Sequence, residues 1–263
     1  KLFEEALRAA KEADEVIFFV CLNHDFDSEG LDRADMKLPY EQDMLIEELL
    51  KVRKDVIITL IGGSPVEMPW RHHAETILWS YYAGMETGNA FAEILFGEVN
   101  PSGKLAETFP ARYEDCVTAK NGQSGIQGSI SLSERFYFGY RYFDKERIAP
   151  AFCFGHGLSY TQFAYSNLSL KQEKDGTGAL KVSFSIKNTG KKAGAEVVQL
   201  YVAPIAPKVE RPAKELKSFA KVKLQPGKSE KITLTLTHQD FAYFDSDKHD
   251  FTVNSGDYEI LVG

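Results

Sequence analysis

Residues 25–30 read Asp-Phe-Asp-Ser-Glu-Gly, and Asp32 and Arg33 follow directly, so Asp25, Asp27, Glu29 and Asp32 crowd one short stretch beside a single guanidinium. Carboxylates set this close either hold a hard cation or move protons. A calcium loop of the D-x-[DN]-x-[DN]-G-x5-E type closes its shell with a bidentate Glu at position 12. Counted from Asp25 that position is Met36, a thioether that a hard cation does not select. The segment entering the loop, VIFFVCL at 16–22, also reads as a strand, whereas a calcium loop is entered from a helix. No metal is therefore expected. Crowded carboxylates raise one another's pKa, which suits a general acid working near neutral pH, and Glu29 beside Gly30 is the candidate for that role. The residues alone leave a second reading open, in which the four acids are a solvated surface cluster with Arg33 as counter-ion.

The elements around the loop support a site. Over residues 1–110, amphipathic helical patterns at about 2–13, 40–53 and 88–96 alternate with the apolar runs VIFFVCL, VIITLIGG and TILWSYY. These runs are too apolar to be half-exposed, which predicts a parallel sheet covered by helices. Ligand sites in such sheets lie beyond the carboxyl ends of the strands, and the acidic loop follows one directly. From about residue 164 the pattern becomes short alternating strands, LKVSFSIKN, AEVVQLYVA, KSEKITLTLT and DYEILVG, separated by Gly, Asn and Pro, which predicts a β-sandwich. The fold class is thus α/β followed by all-β. Between the halves, residues 111–163 are expected to connect them, with NGQSGIQGS at 121–129 a mobile surface loop. FYFGYRYFD and APAFCFGHGLSYTQF should pack aromatics where the domains meet.

At 263 residues, with 43% apolar and 26% charged side chains, two domains are expected. No apolar run approaches the roughly 20 residues that cross a bilayer, so a soluble chain with no membrane partner is expected. A net charge of −7 with interspersed signs offers no field for phosphate backbones, and no nucleic acid is expected. Cys21, Cys116 and Cys153 are odd in number and far apart, and Cys21 and Cys153 sit in apolar sequence, so buried free thiols are expected and not a disulfide framework. The chain opens on an amphipathic helix without Met or signal peptide, as a piece of something longer would. Cytoplasmic, periplasmic and secreted settings all stay open.

Other residues invite chemistry less strongly. His72, His73 and Glu75 offer ligand atoms, but adjacent histidines on a turn point apart, which favours a polar loop over zinc. GGSP at 62–65 lacks a nucleotide-binding pattern and reads as a strand-end turn. His156 is expected to make a structural hydrogen bond, and Trp70 and Trp79 to be core or interface aromatics.

The ordered series SEGLDR (28–33), KLP with Gln42, GGSPVEMPW (62–70), GMETGNAFAEILFGEVNPSGKLAETFP (84–110), GYRYFD (139–144) and FGHGLSYTQFAYSNL (154–168) resembles the C-terminal part of β-glucosidases of glycoside hydrolase family 3. NTGKKAGAEVVQLYV (188–202) is similar to that family's fibronectin type III-like domain. The resemblance spans essentially the whole chain. It implies the second half of an α/β sandwich domain at 1–110, a connecting segment at 111–163 and a fibronectin type III-like domain at 164–263.

By the same resemblance Glu29 is the general acid/base, Asp32 and Arg33 are an ion pair holding its loop, and Phe26 lines the leaving-group side. The nucleophile is expected on a (β/α)8 barrel that nothing here resembles, on the same or another chain. The implied activity is exo-acting, retaining hydrolysis of terminal β-D-glucosyl residues from β-linked oligosaccharides or aryl glucosides, without a cofactor. The chain alone is then expected to be inactive. A β-xylosidase or arabinosidase of the same family, or a non-catalytic carbohydrate-binding or interaction module, are the alternatives, and a homo-oligomer stays open.

Overall fold

The computed structural model describes residues 1–30, 32–121, 132–174 and 178–263. The expected mobile loop at 121–129 lies, apart from Asn121, outside the described residues. The chain forms two compact units, the first drawn from Lys1–Phe91, Thr108–Arg135 and Ile148–Cys153. In it run α1 (Leu2–Glu12), β1 (Ile17–Cys21), α2 (Gln42–Val52), β2 (Ile57–Ile61), β3 (Thr76–Ser80), the start of α3 (Thr87–Leu95) and α4 (Val117–Asn121). The three strands lie in the order β1-β2-β3, all parallel, with Ile17 opposite Ile57 and Ile57 opposite Thr76.

The pattern that predicted these elements also accounts for their packing. Helix α2 buries Ile46, Leu49 and Leu50, spaced i, i+3 and i+4, so that one stripe meets the core while Glu47 and Lys51 face water. The central strand β2 buries Ile58, Thr59 and Leu60 on both faces, and Thr59 satisfies its hydroxyl by donating to the Phe18 carbonyl at 3.1 Å. Strand β1 departs from the expectation of full coverage. Val20 is buried, but Ile17 is 40% and Phe19 53% exposed, and Cys21 is exposed too. These three alternate onto one face, where Phe19 meets only the edge of Phe91, at 5.5 Å between ring centroids, as its aromatic contact among the described residues. One face of β1 is therefore largely uncovered, whereas β2 is fully buried at Ile58, Thr59 and Leu60.

The second unit comprises Ala92–Glu107, Phe136–Arg147 and Phe154–Gly263. It contains a short helix, α5 (Tyr140–Glu146), and the strands β4 (Phe163–Gln172), β5 (Leu180–Asn188), β6 (Gly194–Pro204), β7 (Glu215–Leu224), β8 (Ser229–Leu236), β9 (Tyr243–Asp245), β10 (Asp250–Thr252) and β11 (Tyr258–Val262). Two antiparallel sheets, β4-β5-β8 and β11-β6-β7, form the predicted sandwich, with β9 and β10 as a separate hairpin. Alternate residues of the strands, Val182, Phe184 and Ile186 of β5 and Val198, Leu200 and Val202 of β6, build its core with Val222, Leu224, Ile232 and Leu236.

The NPSGKL motif turns out to be a fastening within this unit. Asn100 accepts from the Tyr160 amide at 2.8 Å and donates to the Ala193 carbonyl at 2.9 Å. Lys104 pairs with Glu196 at 2.7 Å, both side chains largely shielded, and donates to the Gly157 carbonyl. His156 sits beside this pair, its backbone carbonyl accepting from Leu105 at 2.8 Å. Burial, and then the charge of Lys104, push its imidazole below the usual range. Of the aromatics in the middle of the chain, Tyr140 stacks on Phe154 at 5.3 Å in this unit, while Phe152 lies edge-on to Phe109 in the first.

All three cysteines are free, but the expectation of burial fails for two of them: Cys21 and Cys153 are exposed. Cys21 ends the uncovered face of β1, so its apolar neighbours did not imply shelter. Cys116 is the sheltered one, its Sγ 3.6 Å from the Sδ of buried Met36, and burial pushes its thiol up to about 11. No helix among the described residues is long and apolar enough to cross a membrane. Since the thiolate is the reactive species, iodoacetamide at pH 8 is expected to label Cys21 and Cys153 and to spare Cys116 until denaturant is added. Equal labelling of all three by peptide mass spectrometry would contradict this placement.

Candidate active-site loop

The acidic loop leaves the carboxyl end of β1 and is fastened at its base by one amide side chain. Gln42, the first residue of α2, accepts from the Cys21 amide at 3.0 Å and donates to the carbonyls of Cys21 at 3.1 Å and Pro39 at 2.9 Å. It meets the backbone of β1's last residue as a neighbouring strand would, so the excursion 22–41 starts and ends at one point. Just before α2, Tyr40 and Glu41 both take left-handed backbone angles, φ 57° and 59°, conformations that side-chain-bearing residues hold only where their surroundings demand it. The Tyr40 hydroxyl accepts from Asn23 at 2.9 Å and donates to Asp25 at 3.2 Å, and its ring stands edge-on to Phe26 at 5.3 Å.

Further out, the loop is held at two places on either side of Glu29. Asp27 Oδ2 accepts from the Gly63 amide at 3.1 Å and from the Tyr82 hydroxyl at 2.7 Å. Arg33 donates through Nη1 to Ser64 Oγ at 3.0 Å and to the Pro65 carbonyl at 3.1 Å. Burial lowers the Arg33 guanidinium from its ordinary range, opposed by the charges of Asp27 and Asp35. It remains a cation at neutral pH. Gly63, Ser64 and Pro65 follow β2, and Tyr82 follows β3. Loops from the carboxyl ends of all three strands therefore converge here.

Between the two fastenings lie Ser28, Glu29 and Gly30. Gly30 has φ +83°, which only glycine adopts freely, and turns the chain at that point. Glu29 is exposed, and among the described residues no hydrogen bond or ion pair engages its carboxylate. Phe26 is 42% exposed. Asp32 is exposed and Arg33 half-buried. The loop thus presents an exposed carboxylate and an aromatic ring, while Asp25, Asp27 and Arg33 are engaged in holding it.

Sequence reasoning assigned Glu29, Phe26, Asp32 and Arg33, passed over Asp27 as an anchor, read Gly63 only as part of a turn, and gave Tyr40 and Tyr82 no role. The rule that placed the first loop could have found Gly63 and Tyr82, because they lie where the second and third apolar runs end, but not Tyr40, which lies just before α2. The glycines of GGSP are more than turn formers. A Cβ on Gly63 would lie 2.7 Å from Tyr82 Cε2 and 3.0 Å from Asp27 Oδ2.

Elsewhere, Trp70 is a core residue, 1% exposed, donating to Asp43 at 2.7 Å, and Trp79 packs edge-on against Phe109 at 4.9 Å. Burial raises the Asp43 carboxyl above the usual range, with the Trp70 bond pulling the other way. His72, His73 and Glu75 are exposed along an open cleft of about 690 Å³ beside Trp70. Among the described residues no group of three or more His, Cys, Asp or Glu side chains is placed to hold a metal.

The two halves of this architecture each match a known family. Residues 1–160 match the glycosyl hydrolase family 3 C-terminal domain, and residues 196–263 match the fibronectin type III-like domain. The chain belongs to glycosyl hydrolase family 3. It is 44% identical to thermostable beta-glucosidase B of Acetivibrio thermocellus, covering all of this chain and 35% of that protein. It is 40% identical to a beta-glucosidase of Rhizobium radiobacter, covering 98% of this chain and 32% of that one. Among solved structures, a beta-glucosidase from Kluyveromyces marxianus in complex with glucose superimposes with a TM-score of 0.93 at 36% identity, over 99% of this chain and 31% of that one. The family 3 beta-glucosidase of Bifidobacterium adolescentis gives 0.94 at 38% identity, over 100% of this chain and 39% of that one. The chain spans about a third of the length of the curated relatives it matches.

Gly63→Ala tests the convergence of the loops. Tyr82 or Asp27 must move to admit the methyl group, so the variant is expected to lose about 1–3 kcal/mol of stability in denaturant titration, as overpacking does. Amide exchange across residues 23–33 should quicken with it. Unchanged stability and exchange would mean that these contacts do not hold the loop.

Proposed function

We propose that this chain carries the acid/base half of a retaining, exo-acting β-glucosidase site, with Glu29 as the proton-transferring group. The observation that carries the reading is the setting of Glu29. It is an unengaged carboxylate held out between two fastened points of a loop beyond a parallel strand, in a chain whose relatives are named beta-glucosidases. Phe26 is proposed to line the leaving-group side, and Asp32 and Arg33 to support the loop. No cofactor is needed.

In the full reaction a carboxylate of a (β/α)8 barrel portion attacks the anomeric carbon of a terminal β-D-glucosyl residue of an oligosaccharide or aryl glucoside. As the glycosidic C–O bond breaks, the proton of Glu29 passes to the departing oxygen. Glu29, now a carboxylate, removes a proton from water as that water displaces the enzyme carboxylate from the same carbon. Both carboxyl groups must lie about 5–5.5 Å apart across the scissile bond. Asp25, Asp27 and Asp32 share the short loop of Glu29, and Asp27 is already bound, so none is placed to act from the opposite face of the sugar.

In the full-length protein that contains this chain, Glu29→Gln is expected to slow hydrolysis of alkyl glucosides by about 10²–10⁴-fold. Glycosylation by aryl glucosides with good leaving groups should be almost unaffected, and azide should restore turnover by intercepting the glycosyl-enzyme. Equal loss on both substrates without azide rescue would remove Glu29 from the role. The 263-residue chain alone is expected to hydrolyse no glycoside, because it supplies one of two required carboxylates. Activity that co-purifies with it and disappears in Glu29→Gln would place the nucleophile within this chain.

A further inference from the structure

We infer that Asp27 is a positioning residue for Glu29, and that it acts by tying the acid's loop to the Gly63 amide and the Tyr82 hydroxyl. This rests on the reading of Glu29 as the acid/base. Asp27 lies two residues before Glu29, and its Oδ2 binds both donors, at 3.1 and 2.7 Å. The donors belong to the loops after β2 and β3, so the carboxylate refers the acid loop to the whole sheet. Arg33 supplies the corresponding tie four residues after Glu29, but only to the β2 loop, through Ser64 and Pro65. Without Asp27, the stretch before Glu29 would keep only the contacts of Asn23, Asp25 and Phe26 with Tyr40, and no tie to the loops after β2 and β3.

The chemistry most sensitive to such a loss is proton transfer. A donor displaced by about 1 Å can cost about 10²-fold in rate, whereas attack on the anomeric carbon does not involve this loop. A poor leaving group needs its oxygen protonated as it departs, and a dinitrophenolate does not. Loss of Asp27 therefore separates the two kinds of substrate, which general loosening of the fold would not do.

The test uses the full-length protein containing this chain, with methyl β-D-glucoside and 2,4-dinitrophenyl β-D-glucoside as probes. Asp27→Ala is expected to lower kcat on the methyl glucoside by about 10–100-fold while kcat/KM on the dinitrophenyl glucoside stays within about twofold. Asp27→Asn keeps an oxygen acceptor for the same donors and should recover most of the loss. Tyr82→Phe removes only a hydroxyl from an exposed side chain, so it folds if Asp27→Ala does not, and it should show the same split at several-fold size. Equal losses on both substrates, or none, in Tyr82→Phe and in whichever Asp27 variants fold would overturn the inference. Glu29→Gln measured alongside separates the two claims. If it shows the split and azide rescue while the Asp27 and Tyr82 variants do not, only the positioning role fails; if it does not, the acid/base reading itself fails.

Discussion

The arrangement of this site depends on a single carboxylate oxygen. Three backbone segments leave the carboxyl ends of three parallel strands, and Asp27 Oδ2 draws them together by accepting from Gly63 of the second and Tyr82 of the third. Hydrogen bonds to a charged acceptor contribute about 1.5–3 kcal/mol each when shielded, and less at an exposed edge such as this one. Their value here is geometric, since they remove the loop's freedom at a point two residues from an exposed acid. Gly63 is the condition for it, because any side chain there would occupy the space of the tyrosine ring and the carboxylate.

That division of labour explains how so acidic a loop can be ordered. Of its charged groups, Asp27 is bound to the sheet's other loops, Asp25 is bound to Asn23 and Tyr40, and Arg33 is turned inward against Ser64 and Pro65. The repulsion between carboxylates is relieved by giving each a separate partner or leaving it to water. Glu29 is exposed to water, next to the left-handed Gly30. An acid proposed to meet a substrate has to be left unengaged by its own protein, and the contacts of its neighbours hold the loop around it.

Much of the fold was legible because it follows from periodicity. The runs at 16–22, 56–63 and 76–82 became β1, β2 and β3, and the alternation in LKVSFSIKN became the inward row Val182, Phe184 and Ile186. Strands β4 and β7 were not named because their residues hide the pattern. β4 is exposed along most of its length, and the outward row of β7 carries Phe219, 67% exposed, beside Lys221 and Lys223, which breaks the alternation. The helix α5 is too short, at seven residues, and too aromatic for a 3.6-residue period to show. The errors at β1 and at Cys21 have one cause: composition reports how apolar a strand is, not whether a neighbour covers both its faces.

The sequence offered a candidate acid but not the contacts that hold its loop. Glu29 was a candidate from its acidic loop beyond a strand, and the resemblance to the family added Phe26, Asp32 and Arg33. Asp27, Gly63 and Tyr82 lie 36 and 19 residues apart in sequence, and only the parallel register of β1, β2 and β3 makes them neighbours. A local motif can suggest a role for a group, whereas the groups that contact its loop come from wherever the topology returns the chain. In a parallel sheet every strand ends on the same side. The residue just past each strand is therefore where aiming groups accumulate, and a glycine there marks a place where another loop's side chain comes to rest on the backbone.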